Sequence, residues 1–181
     1  MSDSKNRRRL SDDPSGRTGV YKRLNNVPVK YHLRNHEAAY SGMDAWNEFV
    51  EERTDTFESQ ATYDRCEKSG QYYKDHMSDV GRHNAFTPPE PVEEYLTRLH
   101  DDDIGQFSCT RQLQTIYLEY FQPLDTFYTW LLWHTDHPHV CHLARMAAIA
   151  GGFVSDVWQR KLDQNHNDGT VSRPWRPLMN G

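Results

Sequence analysis

Nine consecutive residues gather four histidines, one cysteine and one aspartate, a dense group of side chains that could do chemistry: His134-Thr135-Asp136-His137-Pro138-His139-Val140-Cys141-His142. Imidazole, thiolate and carboxylate are the groups that zinc selects, and zinc wants three or four of them arranged tetrahedrally. On a helix His139 and His142 are three apart and share one face, and His137 and Cys141 are four apart and share another. One helix rarely supplies more than two ligands to a site. A zinc site on His137, His139, Cys141 and His142 therefore needs help from His76, His83 or His100. Two other uses compete. Histidine is the side chain that titrates near neutrality, so the cluster suits a pH-sensitive contact. It also suits plain capping and packing at a helix start.

Covalent chemistry has little support. His36-Glu37-Ala38-Ala39-Tyr40 opens like H-E-x-x-H but has tyrosine where the second histidine must stand. No G-x-S-x-G, phosphate-binding P-loop or G-x-G-x-x-G occurs. Cys141 and His142 are neighbours, which on a helix point about 100° apart, so they do not form a nucleophile–base pair. Cys141 reads as a small core residue. The three consecutive aspartates, Asp101 to Asp103, cannot converge on one ion and read as a solvated loop. The expectation is a non-enzymatic protein with no catalytic residue.

The element that must position the histidines is the apolar stretch Asp136 to Asp163, expected to be the central helix of an all-α domain. Asp136 is the expected N-cap, and Pro138 fits a first turn, where its missing N–H costs nothing. Leu143, Ala147, Ala150, Val154 and Val157 make one helical stripe, and Met146, Ile149 and Phe153 an adjoining one. Two stripes imply neighbours on more than one side. Gly151-Gly152 in the middle either admits a close helix neighbour or breaks the helix. The apolar run, Met146 to Val154, is far short of the ~20 residues that span a membrane.

Shorter helices are expected around it. Ser41 to Arg53 buries Trp46, Phe49 and Val50. Gln60 to Val80 buries Tyr63, Cys66, Tyr73 and Met77, although Gly70 weakens it, and Gly81 stops it. Thr87-Pro88-Pro89-Glu90-Pro91 reads as a rigid extended connector, with a subdomain boundary near 84–91. Pro91 to His100, Ser108 to Phe121 and Leu124 to Trp133 follow, with Pro123 restarting the chain. The result is a bundle of five to six helices over residues 41–163.

At 181 residues a single core is feasible. Aromatics are 12% of the chain and Leu, Ile and Val are sparse, so that core must be largely aromatic. Cys66, Cys109 and Cys141 are odd in number and unpaired in spacing, as reduced thiols of a cytoplasmic protein would be. The first thirty residues lack an apolar signal region. Fifteen arginines against six lysines, with sixteen aspartates against ten glutamates, point to a GC-rich genome and are compatible with a halophile.

Charge is split unevenly. Residues 1–34 hold nine Lys/Arg and three Asp, a net of +6, whereas residues 35–181 hold twelve Lys/Arg and twenty-three Asp/Glu, a net of −11. A flexible basic arm on an acidic body calls for an acidic partner. Lys5, Arg7, Arg8, Arg9, Arg17, Lys22, Arg23, Lys30 and Arg34, interleaved with Tyr21 and Tyr31, suit nucleic acid, because cations meet phosphates and rings stack on bases. An acidic protein surface is the other partner such an arm fits. The irregular 164–181 tail carries Arg173, Trp175 and Arg176 among prolines. It suits docking on a protein partner or on another copy of the chain, as in a virion or other assembly. The leading expectation is a plasmid- or virus-encoded nucleic-acid-binding protein, with an assembly protein and a metal-binding protein as competitors.

Overall fold

The computed structural model describes residues 20–101, 110–134 and 136–167, the last seven in backbone only. It is all-α. After four 3-10 turns (Leu24–Asn26, Val29–Tyr31, Leu33–Asn35 and Glu37–Tyr40) come α1 (Ala45–Glu52), α2 (Gln60–Asp79), α3 (Pro89–His100) and α4 (Leu113–Ile116). A π turn (Tyr117–Phe121) leads into α5 (Gln122–Trp133), and α6 (Leu143–Ala150) and α7 (Phe153–Asn167) follow.

Local chemistry sets most boundaries. Asp44 caps α1 by accepting the Asn47 N–H (3.0 Å), and Ser59 caps α2 by accepting that of Thr62 (3.3 Å). The left-handed Gly81 (φ +66°) lies just past the end of α2. The proline connector is shorter than expected, because α3 begins at Pro89 with its prolines in the first turn, where a missing N–H is harmless. Pro123 likewise does not separate two helices. Helical backbone runs from Leu113 to Trp133, and the wider π turn lets the Gln122 N–H reach the Tyr117 carbonyl. Pro123 then falls at the start of a fresh α segment, where its N–H is not needed.

The expected central helix is corrected at both its start and its middle. It begins at Leu143, and the N-cap is His142, whose Nδ1 accepts the Arg145 N–H (3.3 Å); Asp136 is exposed and caps nothing. Residues 137–142 are non-helical, because their side chains have partners on other elements. The helix breaks at Gly151-Gly152, which take φ of +93° and +90°, a region closed to other residues without strain. The carboxylate of Glu93 on α3 then caps α7, accepting the N–H of Phe153 (2.5 Å) and of Val154 (3.0 Å). What remains as α6 is short but nearly engulfed. Leu143 to Ala148 are all buried, and α6 packs against α3, α5 and α7.

The core is aromatic, as expected. Trp46, Phe49, Tyr73, Tyr95, Tyr120, Phe121, Phe127 and Tyr128 are each at most 2% exposed. Trp46 lies against Gly70 of α2 and contacts the rings of Phe49, Tyr73 and Phe127, which fastens α1 to α2 and α5. Gly70 is therefore the seat of the indole. The 84–91 stretch is part of this interior: Ala85, Phe86 and Thr87 are buried, and one apolar cluster runs from Val27 to Trp158. The packed body also begins earlier than residue 41. Val27 and Tyr40 belong to that cluster, with Tyr21, Leu24 and Leu33 packed against it.

Candidate functional site: a histidine corner and a basic N-terminal segment

The loop between α5 and α6 turns the histidines to different neighbours. Held by Trp130 (ring centroids 5.0 Å apart), His134 points Nε2 at Glu52 Oε1 (3.3 Å), and the other Glu52 oxygen accepts the Trp130 indole N–H (3.0 Å). His137 Nδ1 is hydrogen-bonded to the Tyr40 hydroxyl, which ties the end of the N-terminal turns to the loop. His139 stacks on Phe86 (5.4 Å, 8° between planes) and donates Nε2–H to the Ala85 carbonyl (2.5 Å). Fully buried, His142 donates Nε2–H to the Asp125 carbonyl (3.0 Å) while its Nδ1 caps α6. Each of these last two bonds fixes a neutral tautomer.

Burial enforces that neutrality. Desolvation pushes the His139 pKa down to about 4, against the pull of its bond to the Ala85 carbonyl. It pushes His142 down to about 3, helped by the neighbouring Arg145 cation and opposed by Asp125. His137 is lowered for the same reason, and burial raises Tyr40, so their bond joins two neutral groups at neutral pH. Arg145 is held by a two-pronged contact with Asp125, Nε to Oδ1 at 2.5 Å and Nη2 to Oδ2 at 2.8 Å.

The pairs read from helical spacing are not formed. His139 faces the 84–87 stretch and His142 faces α5, so they do not share a surface. Cys141 is 1% exposed, and burial pushes its thiol up to about 11, the state of an inert core residue. His137 Nε2, His139 Nδ1 and His134 Nδ1 are buried without a hydrogen-bond partner. Among the described residues no group of three or more His, Cys, Asp or Glu side chains is placed to hold a metal ion.

The basic segment leads into this corner through Tyr40. Lys22, Arg23, Lys30 and Arg34 are all exposed, and none has a salt-bridge partner among the described residues. They stand on a backbone fixed by Val27, Leu24 and Leu33 beneath it and by Tyr40 at its end. Lys5, Arg7, Arg8, Arg9 and Arg17 lie outside the described residues, as do Arg173, Trp175 and Arg176 of the tail and Cys109.

Sequence reasoning missed the histidines' partners. Tyr40 is 97 residues from His137 and Ala85 is 54 from His139, distances over which no local pattern carries a signal. Among the described residues no helix is long and apolar enough to cross a membrane. The chain matches no protein-family model, and neither a curated protein nor a solved structure is detectably similar to it.

Proposed function

We propose that this is a non-enzymatic binding protein that contacts nucleic acid through its basic N-terminal segment. The observation that carries the reading is the placement of Lys22, Arg23, Lys30 and Arg34. All four are exposed on a segment that Val27, Leu24 and Leu33 anchor to the core. An anchored segment holds its cations in place before the ligand arrives, so less conformational entropy is lost on binding. The acidic body, net −11 beyond residue 34, repels phosphates elsewhere and leaves the segment as the point of approach. Contacts of this kind position a protein on the phosphate backbone and carry little base information.

The test is co-purification. Full-length protein recovered at moderate salt should bring nuclease-sensitive nucleic acid with it, and the Lys22→Ala/Arg23→Ala/Lys30→Ala/Arg34→Ala variant should bring much less. A protein partner that survives nuclease treatment and still binds the variant would overturn the reading.

A second reading, a subunit of a larger assembly, is favoured by Trp133. This residue is 72% exposed at the end of α5, a large apolar side chain of the kind that subunit contacts use. On that reading an acidic protein surface meets residues 1–34, and the C-terminal tail ties neighbouring subunits.

A further inference from the structure

The basic segment also exposes apolar side chains that folding alone would hide. Pro28 leads into the turn Val29–Tyr31, where Val29 is 67% and Tyr31 38% exposed, although Val27 beside them is buried. The turn is braced internally. Asn35 Nδ2 donates to the Val29 carbonyl (2.9 Å) and His32 Nε2 to the Val27 carbonyl (2.9 Å). Lys30 Nζ stands 4.6 Å from the centre of the Tyr31 ring, and Arg34 is exposed one turn further on. The result is a part-exposed aromatic ring on a braced turn, with the Lys30 ammonium over its face. Residues 20–40 hold four Lys/Arg against a single carboxylate, Glu37.

We infer that Tyr31 is a stacking platform for an unpaired base, with Lys30 and Arg34 meeting the flanking phosphates, so that the preferred partner is single-stranded nucleic acid. The inference rests on the nucleic-acid reading above and narrows it. A duplex keeps its base faces stacked on one another, whereas a single strand offers them to a ring. Base–aromatic stacking tolerates any sequence, because every base has a flat face. On binding, the Lys30 ammonium shifts from the ring to a phosphate.

The experiment measures fluorescence anisotropy of the full chain with a labelled twenty-nucleotide oligothymidine, a mixed-sequence duplex of the same length, and vesicles containing anionic lipid, all at one salt concentration. The single strand should bind more tightly than the duplex. Tyr31→Ala should weaken the single strand about tenfold and Tyr31→Phe hardly at all. Equal binding of both oligonucleotides, insensitive to Tyr31→Ala, would overturn the stacking inference and leave the phosphate-contact reading standing. Failure of both oligonucleotides to bind would overturn both. Binding to the vesicles alone, lost in Tyr31→Ala, would also overturn both and assign the turn to a membrane surface. Since Tyr31 is exposed, circular dichroism and melting should be unchanged in its variants, which keeps the comparison free of folding effects.

Discussion

Gly70→Ala should destabilise the protein, although helix propensity taken alone says the opposite. Alanine is favoured over glycine in a helix interior by about 1 kcal/mol. In this structure a methyl group at position 70 would lie 2.0 Å from Trp46 Nε1, 2.3 Å from Cε2 and 2.4 Å from Cδ1. Ordinary contact begins at about 3.4 Å, so the indole must move. It has nowhere easy to go, being 2% exposed and in contact with Phe49, Tyr73 and Phe127, with ring centroids 5.6, 6.1 and 4.7 Å away. Overpacking of a tight core typically costs about 1–3 kcal/mol, and complete loss of a buried tryptophan's packing about 3–5 kcal/mol. Displacement without expulsion falls between these, and after the propensity gain a net loss of about 2 kcal/mol remains. Urea unfolding followed by tryptophan fluorescence measures it. With a slope of ~2 kcal/mol/M the midpoint should fall by about 1 M with the slope unchanged. A midpoint equal to or above that of the parent would refute the reasoning, since the indole would then not rest on α2.

Three further expectations follow from the same interior. Below pH 6.5 the unfolded chain protonates histidines that the fold keeps neutral, so stability should be complete above about pH 6.5 and fall as pH drops toward the depressed values of His139 and His142, about 4 and about 3. Each contributes of order 1–2 kcal/mol of loss by pH 5, and His139→Gln should flatten the decline of the urea midpoint with pH; a decline as steep as the parent's would contradict this. Asp125→Ala removes the carboxylate that grips the buried Arg145 guanidinium and should cost about 3 kcal/mol, read as a large drop in melting temperature. Glu93→Gln keeps the shape of the α7 cap but not its charge and should cost about 1 kcal/mol. Gly152→Ala should cost more, because its methyl would meet Glu93 Oε1 at 2.6 Å on a backbone with positive φ. Thermal melts of both variants check the order.

How far this architecture was legible follows from the range of the interactions. Helical periodicity placed α1, α2, α3 and α5, because their apolar stripes repeat every three to four residues and depend only on local chain. The aromatic character of the core followed from composition. The reading failed where a distant group outweighs the local pattern. Asp136 and Pro138 look like a helix start, yet residues 137–142 give up helical bonds because Tyr40, Ala85 and Asp125 take up His137, His139 and His142. At Gly151-Gly152 local pattern leaves both a continuous helix and a break open, and the distant Glu93 of α3 decides for the break by offering the second half its own cap. Gly70 shows the same limit: glycine lowers helix propensity locally, and Trp46, twenty-four positions earlier, offsets that loss by packing on it. The exposed cations of the candidate site were plain in the sequence. The anchoring beneath them depends on Val27 and Tyr40 reaching a core built from the rest of the chain, which no local window contains.

The central claim is that exposed cations of the N-terminal segment meet phosphates, and the salt dependence of affinity tests it most directly. Association constants of the full chain for a labelled oligonucleotide should fall linearly in log K against log salt. The slope should shrink by about 3 when Lys22, Arg23, Lys30 and Arg34 are replaced by alanine, because each phosphate contact contributes ~0.7–0.9. An affinity that is indifferent to salt, or a slope that the four replacements leave unchanged, would contradict the account.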